Sequence, residues 1–238
     1  MNQIRSFSRG ASSYKRGKQG QTSTGKVFLI VTEGEKTEPN YLKSIRNRLK
    51  LSTVDVEIIH PSQFDPLSLT QKAIRLRDER RKEARKDKSK LPYDEVWVVF
   101  DLESQNSSYR KKALEAKKLK TAADINFAIS DPSFEFWLLL HEEYTTAPFA
   151  DSNQVETRLK SKANLPDYSK GGWLPTPEFI EKLPTAVKNA ELCRGYHKTA
   201  NGDGNPSTNV DYLVISLNGA TRQHYQFDFS KIPLFGKP

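Results

Sequence analysis

The sequence predicts an α/β fold: a mostly parallel four-stranded sheet with flanking helices, followed by a helical C-terminal extension. Three features predict it. Apolar, β-branched runs such as VFLIV (27–31) and the VWVVF of EVWVVF (95–100) read as strands buried on both faces. Long charged segments of helical period separate them. The resulting β-α-β-α-β-α-β order fits right-handed crossovers onto one sheet.

Residues 1–25 are rich in Ser, Gly, Arg, Lys and Gln, with little apolar content, and are expected to form a disordered basic arm. VFLIV opens the α/β domain, assigned to 26–145. Thr37 can cap a helix that runs to about Lys50, with Pro39 tolerated in its first turn. VDVEIIH (54–60) is the second strand, PSQFDP a turn, and Leu67 to about Lys88 a long charged helix. After the third strand, Asn106 to Lys120 forms a third helix and INFAIS (125–130) a fourth strand. SDPSFEFWLLLHEEY then starts a helix from about Ser133 to His141. Its Phe134, Trp137, Leu138 and His141 share one side and Leu140 lies off that stripe. The extension, 146–238, holds helical candidates at 152–163 and 176–194. Residues 205–217 are expected to form a last short helix, with a strand as the alternative.

Composition narrows the function. The chain has 238 residues and a formal net charge of +9. Residues 1–24 contain Arg5, Arg9, Lys15, Arg16 and Lys18 and no acid, and the remainder carries 33 basic against 29 acidic residues. Residues 71–90 hold ten Lys/Arg against four Asp/Glu, and RKKALEAKKLK (110–120) is a further basic run. Each run is either a solvated helix face or a surface for a polyanion such as nucleic acid. The single cysteine, Cys193, excludes an internal disulfide and a cysteine-built zinc site. No apolar run approaches the roughly 20 residues that cross a bilayer, and the first residues lack the apolar stretch of a secretory signal. The expectation is a cytoplasmic protein without membrane contact, its oligomeric state open to a homodimer. Scattered histidines without H-E-x-x-H spacing argue against zinc hydrolase chemistry, and no P-loop is present.

The candidate site lies in the acids that follow two strands. TEGEKTEPNYL places Glu33 after the first strand, and VFDLES places Asp101 and Glu103 after the third. Ligands in open α/β sheets gather at the carboxyl ends of strands, and the D-x-E spacing points both acids one way if the chain stays extended. Magnesium or manganese needs only a few such oxygens when phosphate completes the shell. The alternative is that these acids cap helices or solubilise loops. Glu135 is either a further ligand or a hydrogen-bonded structural acid, and His141 either a proton shuttle or a cap on backbone carbonyls. Lys36 could neutralise a scissile phosphate or pair with Glu35. Lys170, in DYSKGG beside Tyr168, is a candidate nucleic-acid contact or part of a plain mobile connection. The amides after Asp131 and Ser133 could receive a phosphate, or those residues could simply cap the helix.

TEGEKTEPNYL, VFDLES and SDPSFEFWLLLH together resemble the RloB family, and the E-G and D-x-E elements are similar to the TOPRIM domain of topoisomerases, primases and OLD-type nucleases. That resemblance, over roughly 26–145, implies a TOPRIM-like fold and a metal-dependent nuclease in phage defence by abortive infection, encoded with an ATPase partner. By carry-over, Glu33 matches a metal ligand or general acid/base, and Asp101 and Glu103 the acids that hold magnesium, with glutamate where the family motif has a second aspartate. Glu38 matches a second acid of the OLD-like pattern, one residue out of register. A non-catalytic regulatory or nucleic-acid-binding subunit of a defence complex is the other reading.

Overall fold

The structure, a computed structural model, describes residues 25–52, 56–60, 65–102, 107–119, 122–162, 165–200 and 204–232. The expected arm, apart from Gly25, lies outside them, as does Glu103. Four parallel strands form the sheet: β1 (Phe28–Thr32), β2 (Val56–Ile59), β3 (Glu95–Asp101) and β4 (Ile125–Asp131). A fifth, β5 (Ser207–Thr208), adds antiparallel to the end of β4, giving the order β2-β1-β3-β4-β5. The expected sheet is thus present with one short edge strand more. The helices are α1 (Thr37–Arg48), α2 (Pro66–Lys86), α3 (Ser107–Lys118), α4 (Phe134–Leu139), α5 (Ser152–Lys162), α6 (Pro177–Glu181), α7 (Leu183–Ala200) and α8 (Val210–Gly219).

The central strands are apolar throughout because both their faces are covered. Phe28, Ile30, Trp97 and Val99 face a large core built with α1 and α4 to α8, while Leu29, Val31, Val98 and Phe100 face a smaller core with α2 and α3. The larger core runs without a break from the sheet into the C-terminal helices, out to Leu217 and Phe227.

Four local expectations change. Thr37 lies inside α1, whose N-cap is Lys36 without a side-chain bond; Glu38 folds back onto the preceding turn instead, its Oε1 accepting from the Gly34 amide at 2.9 Å. The expected helix at 176–194 is broken at Lys182, because Pro184 has no N–H to continue a helix through that turn. All six residues of α4 are buried, as is Leu140, so the one-sided stripe is not realised. Packing against β4, α5 and α7 surrounds that helix. Residues 205–217 combine both alternatives, a two-residue strand and then a helix.

Candidate metal centre

The order β2-β1-β3-β4 reverses direction between β1 and β3, and a sheet of this kind opens a crevice where its crossovers diverge, at the carboxyl ends of those two strands. Both acidic strand ends meet there. The Glu33 amide donates to Val99 O at 2.9 Å, carrying the β1–β3 ladder one residue beyond the strand. The Asp101 amide in turn donates to Glu33 Oε2 at 3.0 Å, and the Tyr109 hydroxyl donates to Glu33 Oε1. Glu33 is therefore a carboxylate fixed at both oxygens, with its negative charge stabilised by donors.

A cleft of about 500 Å³ opens at this point, lined by Glu33, Glu38, Asp101 and Glu135 together with Lys36 and Lys170. Its floor is acidic and buried: Glu38 is 5% exposed, Asp101 9% and Glu135 1%. Glu38 arrives by its fold-back over Gly34, where a Cβ would stand 1.8 Å from Glu38 Oε2, so only glycine admits it. Glu135 comes from the first turn of α4, and Tyr168 donates to its Oε1 at 2.7 Å. Tyr168, 2% exposed, is thus a buried support of the site and not a surface contact. The same loop places Gly171 against the stem of Lys36, with its amide donating to Thr37 Oγ1 at 3.3 Å.

Two oxygens in this cluster have no hydrogen-bonding partner, Asp101 Oδ1 and Glu135 Oε2. Burial, and then the negative fields of Glu38, Glu135 and Glu33, holds the Asp101 carboxyl well above the usual range. Burial raises Glu38 as well, with Glu135 adding to it against the opposing backbone bonds. Partial burial pulls Lys170 down, but Glu135, Asp101, Glu156 and Glu38 outweigh it and raise the ammonium above its ordinary value. Such a cluster carries more negative charge than its own cations balance, which favours a divalent ion with oxygen ligands. Among the described residues no three of His, Cys, Asp or Glu already stand in metal-holding geometry. A cation would draw the acids inward or complete its shell with water and phosphate, as magnesium commonly does.

Two other sequence candidates, His141 and Asp131, are not among the residues that line the cleft. His141 is 1% exposed, shares hydrogen bonds with Tyr41 Oη and Trp137 O at 3.1 Å each, and stacks on Phe179 at 4.4 Å. Burial depresses its pKa to about 3. It is a core histidine with no place among the cleft-lining groups. Asp131 is held by the Arg110 guanidinium at 2.7 Å. Lys36 is exposed and makes no ion pair with Glu35 among the described residues. Tyr109 was not legible in the sequence, since an isolated tyrosine in a basic helix gives no sign of the acid it will meet.

The family model described as RloB-like protein matches residues 28–217, most of the chain. The chain belongs to the RloB-like family. The match runs from the first residue of β1 through α8 nearly to its end, so the RloB-like unit includes the loop that brings Tyr168 and Lys170 to the acids. Comparison with curated proteins and with solved structures gave no match.

Proposed function

We propose that this RloB-like protein is a magnesium- or manganese-dependent phosphodiesterase that cuts nucleic acid at the β1–β3 crevice. The supporting observation is the pair of partnerless carboxylate oxygens, Asp101 Oδ1 and Glu135 Oε2, on buried acids that line one cleft. Inside a fold such oxygens cost free energy, of order 1–3 kcal/mol each, and a cation that they ligate recovers it.

Asp101, Glu135 and Glu38 would hold the ion, with Glu103 a further ligand proposed from the D-x-E pattern. A bound ion would supply Lewis-acid polarisation of the phosphate and a lower pKa for water. Glu33, immobilised by the Asp101 amide and the Tyr109 hydroxyl, would accept a proton from the attacking water in a fixed orientation. Lys36 and Lys170, the cations of the cleft, would face the non-bridging phosphate oxygens and offset their charge as the bond breaks. The family resemblance extends the proposal to phage defence beside an ATPase.

Purified protein should cleave DNA or RNA when magnesium or manganese is added. Glu33→Gln and Asp101→Asn should each lose at least about a hundredfold in rate, and manganese binding followed by calorimetry should vanish in Asp101→Asn/Glu135→Gln. Cleavage in excess chelator, or full activity in Asp101→Asn, would overturn the assignment. The alternative is a regulatory subunit on the same scaffold. Wild-type protein that binds no manganese would decide for that reading.

A further inference from the structure

The charge of this molecule is layered. α2 carries eight Lys/Arg against three acids and α3 five against one. Together the two helices hold a net +9, equal to the formal charge of the whole chain, so the remaining residues taken together sum to zero. Both helices lie on the same face of the sheet, packed side by side and onto it through Leu69, Ala73 and Ala113. Their remaining surfaces point away from the protein.

Part of that charge is spent internally. Arg77 and Arg81 pair with Asp124, Arg110 with Asp131, and Arg80 donates to Leu91 O at 2.8 Å over the Tyr93 ring. Another part is not: Arg75, Lys82, Arg85, Lys86, Lys111 and Lys118 are exposed and have no acid within ion-pair distance among the described residues. A solvated helix face normally interleaves both signs. Here like charges crowd together, at an electrostatic cost that a polyanion would relieve.

We infer that the outer face of α2 and α3 is a docking surface for the phosphate backbone of a nucleic-acid duplex. Rigidity and composition favour a duplex over a single strand. The 21 residues of α2 make a straight ridge of about 30 Å at 1.5 Å per residue, close to one duplex turn. Sites for single strands interleave cations with exposed aromatic stacking platforms, and the described outer faces of α2 and α3 have none; Tyr109, the one aromatic in either helix, is engaged with Glu33. The ridge also leads to the cleft, because the first turn of α3 supplies Tyr109 to Glu33 and Arg110 to Asp131. The inference rests on the phosphodiesterase reading only for its choice of polyanion.

The test uses the full chain carrying Asp101→Asn, in chelator, so that binding is read without cleavage. Anisotropy titrations with a DNA duplex, an RNA duplex and a single strand, over roughly 50–200 mM salt, compare this protein with one further carrying Arg75→Gln, Lys82→Gln, Lys86→Gln, Lys111→Gln and Lys118→Gln. The expected result is duplex binding that is at least about tenfold weaker in the neutralised protein, with a log–log salt slope shallower by about four. Smaller variants, confined to α2 or to α3, give partial changes in the same direction and guard against misfolding of the fivefold one. Unchanged affinity and slope would overturn the surface, as would a clear preference for the single strand, or capture of anionic vesicles in place of duplexes. Neutralisation-sensitive duplex binding by a wild-type protein that cuts nothing would instead sink the nuclease and leave this surface standing.

Discussion

Gly34 and His141 show how single residues are constrained by what surrounds them. Any side chain at 34 collides with the Glu38 carboxylate, which is itself bonded to the Gly34 amide. Gly34→Ala is therefore expected to expel Glu38 and leave that amide without its charged acceptor, a loss of roughly 1–3 kcal/mol measurable by urea unfolding, together with weaker manganese binding. A variant as stable as wild type that binds manganese equally well would show that Glu38 has no part in the site. At His141 the folded protein keeps a neutral ring with a pKa of about 3, against an ordinary value of 6.5. Between those values the unfolded chain binds the additional proton, so stability is fully present above 6.5 and drains as pH falls. At about 1.4 kcal/mol per pH unit, wild type should lose roughly 2–3 kcal/mol more than His141→Gln between pH 6.5 and about 4.5. Parallel stability curves for the two proteins would contradict the assignment of a neutral buried ring.

Among the elements, one cation ties α7, β5 and α8 together. Arg194 on α7 donates to both oxygens of Asp211 on α8, at 2.7 and 2.6 Å, to Thr208 O of β5 at 2.5 Å, and to Glu191. Asp211 is fully buried and Glu191 nearly so. Burial raises the Asp211 pKa, and Arg194 opposes the shift. Removing one partner of such a network strands buried charge, at about 3–5 kcal/mol. Arg194→Met should accordingly unfold at lower urea and lose amide protection first in α7, β5 and α8. A loss below about 1 kcal/mol would mean that this network adds little to the other contacts that secure these helices. The link spans residues 191 to 211 in three elements, and no periodicity in the sequence announces it.

For the molecule as a whole, stability and function oppose each other at the β1–β3 crevice. Crowded carboxylates destabilise the metal-free fold, so a cation that binds only the folded state should raise stability by about 2.7 kcal/mol at a hundred times its dissociation constant. Asp101→Asn should abolish that gain and, by removing one like charge, unfold at higher urea than wild type in chelator. Identical midpoints with manganese and with chelator in the wild-type protein would count against a cation site altogether. The opposite sheet face carries the complementary imbalance, positive on α2 and α3.

How much of this was legible follows from the range of each interaction. Strand β1 with Glu33 behind it, strand β3 ending in Asp101, and the helices between them could be read directly, because apolar period and turn chemistry are properties of neighbouring residues. The break at Lys182 and the fold-back of Glu38 onto Gly34 escaped although their signals, Pro184 and a glycine four residues before a glutamate, are local. At His141 the sequence leaves a proton shuttle and a cap on backbone carbonyls open; the structure has the ring at Trp137 O, and nothing local to a helix end marks the aromatic cage around it. The acids' convergence with Glu135, Tyr168 and Lys170 was decided only in three dimensions. Strand order and loop placement are set by which buried faces pack together across more than a hundred residues, and no local pattern in a chain encodes that choice.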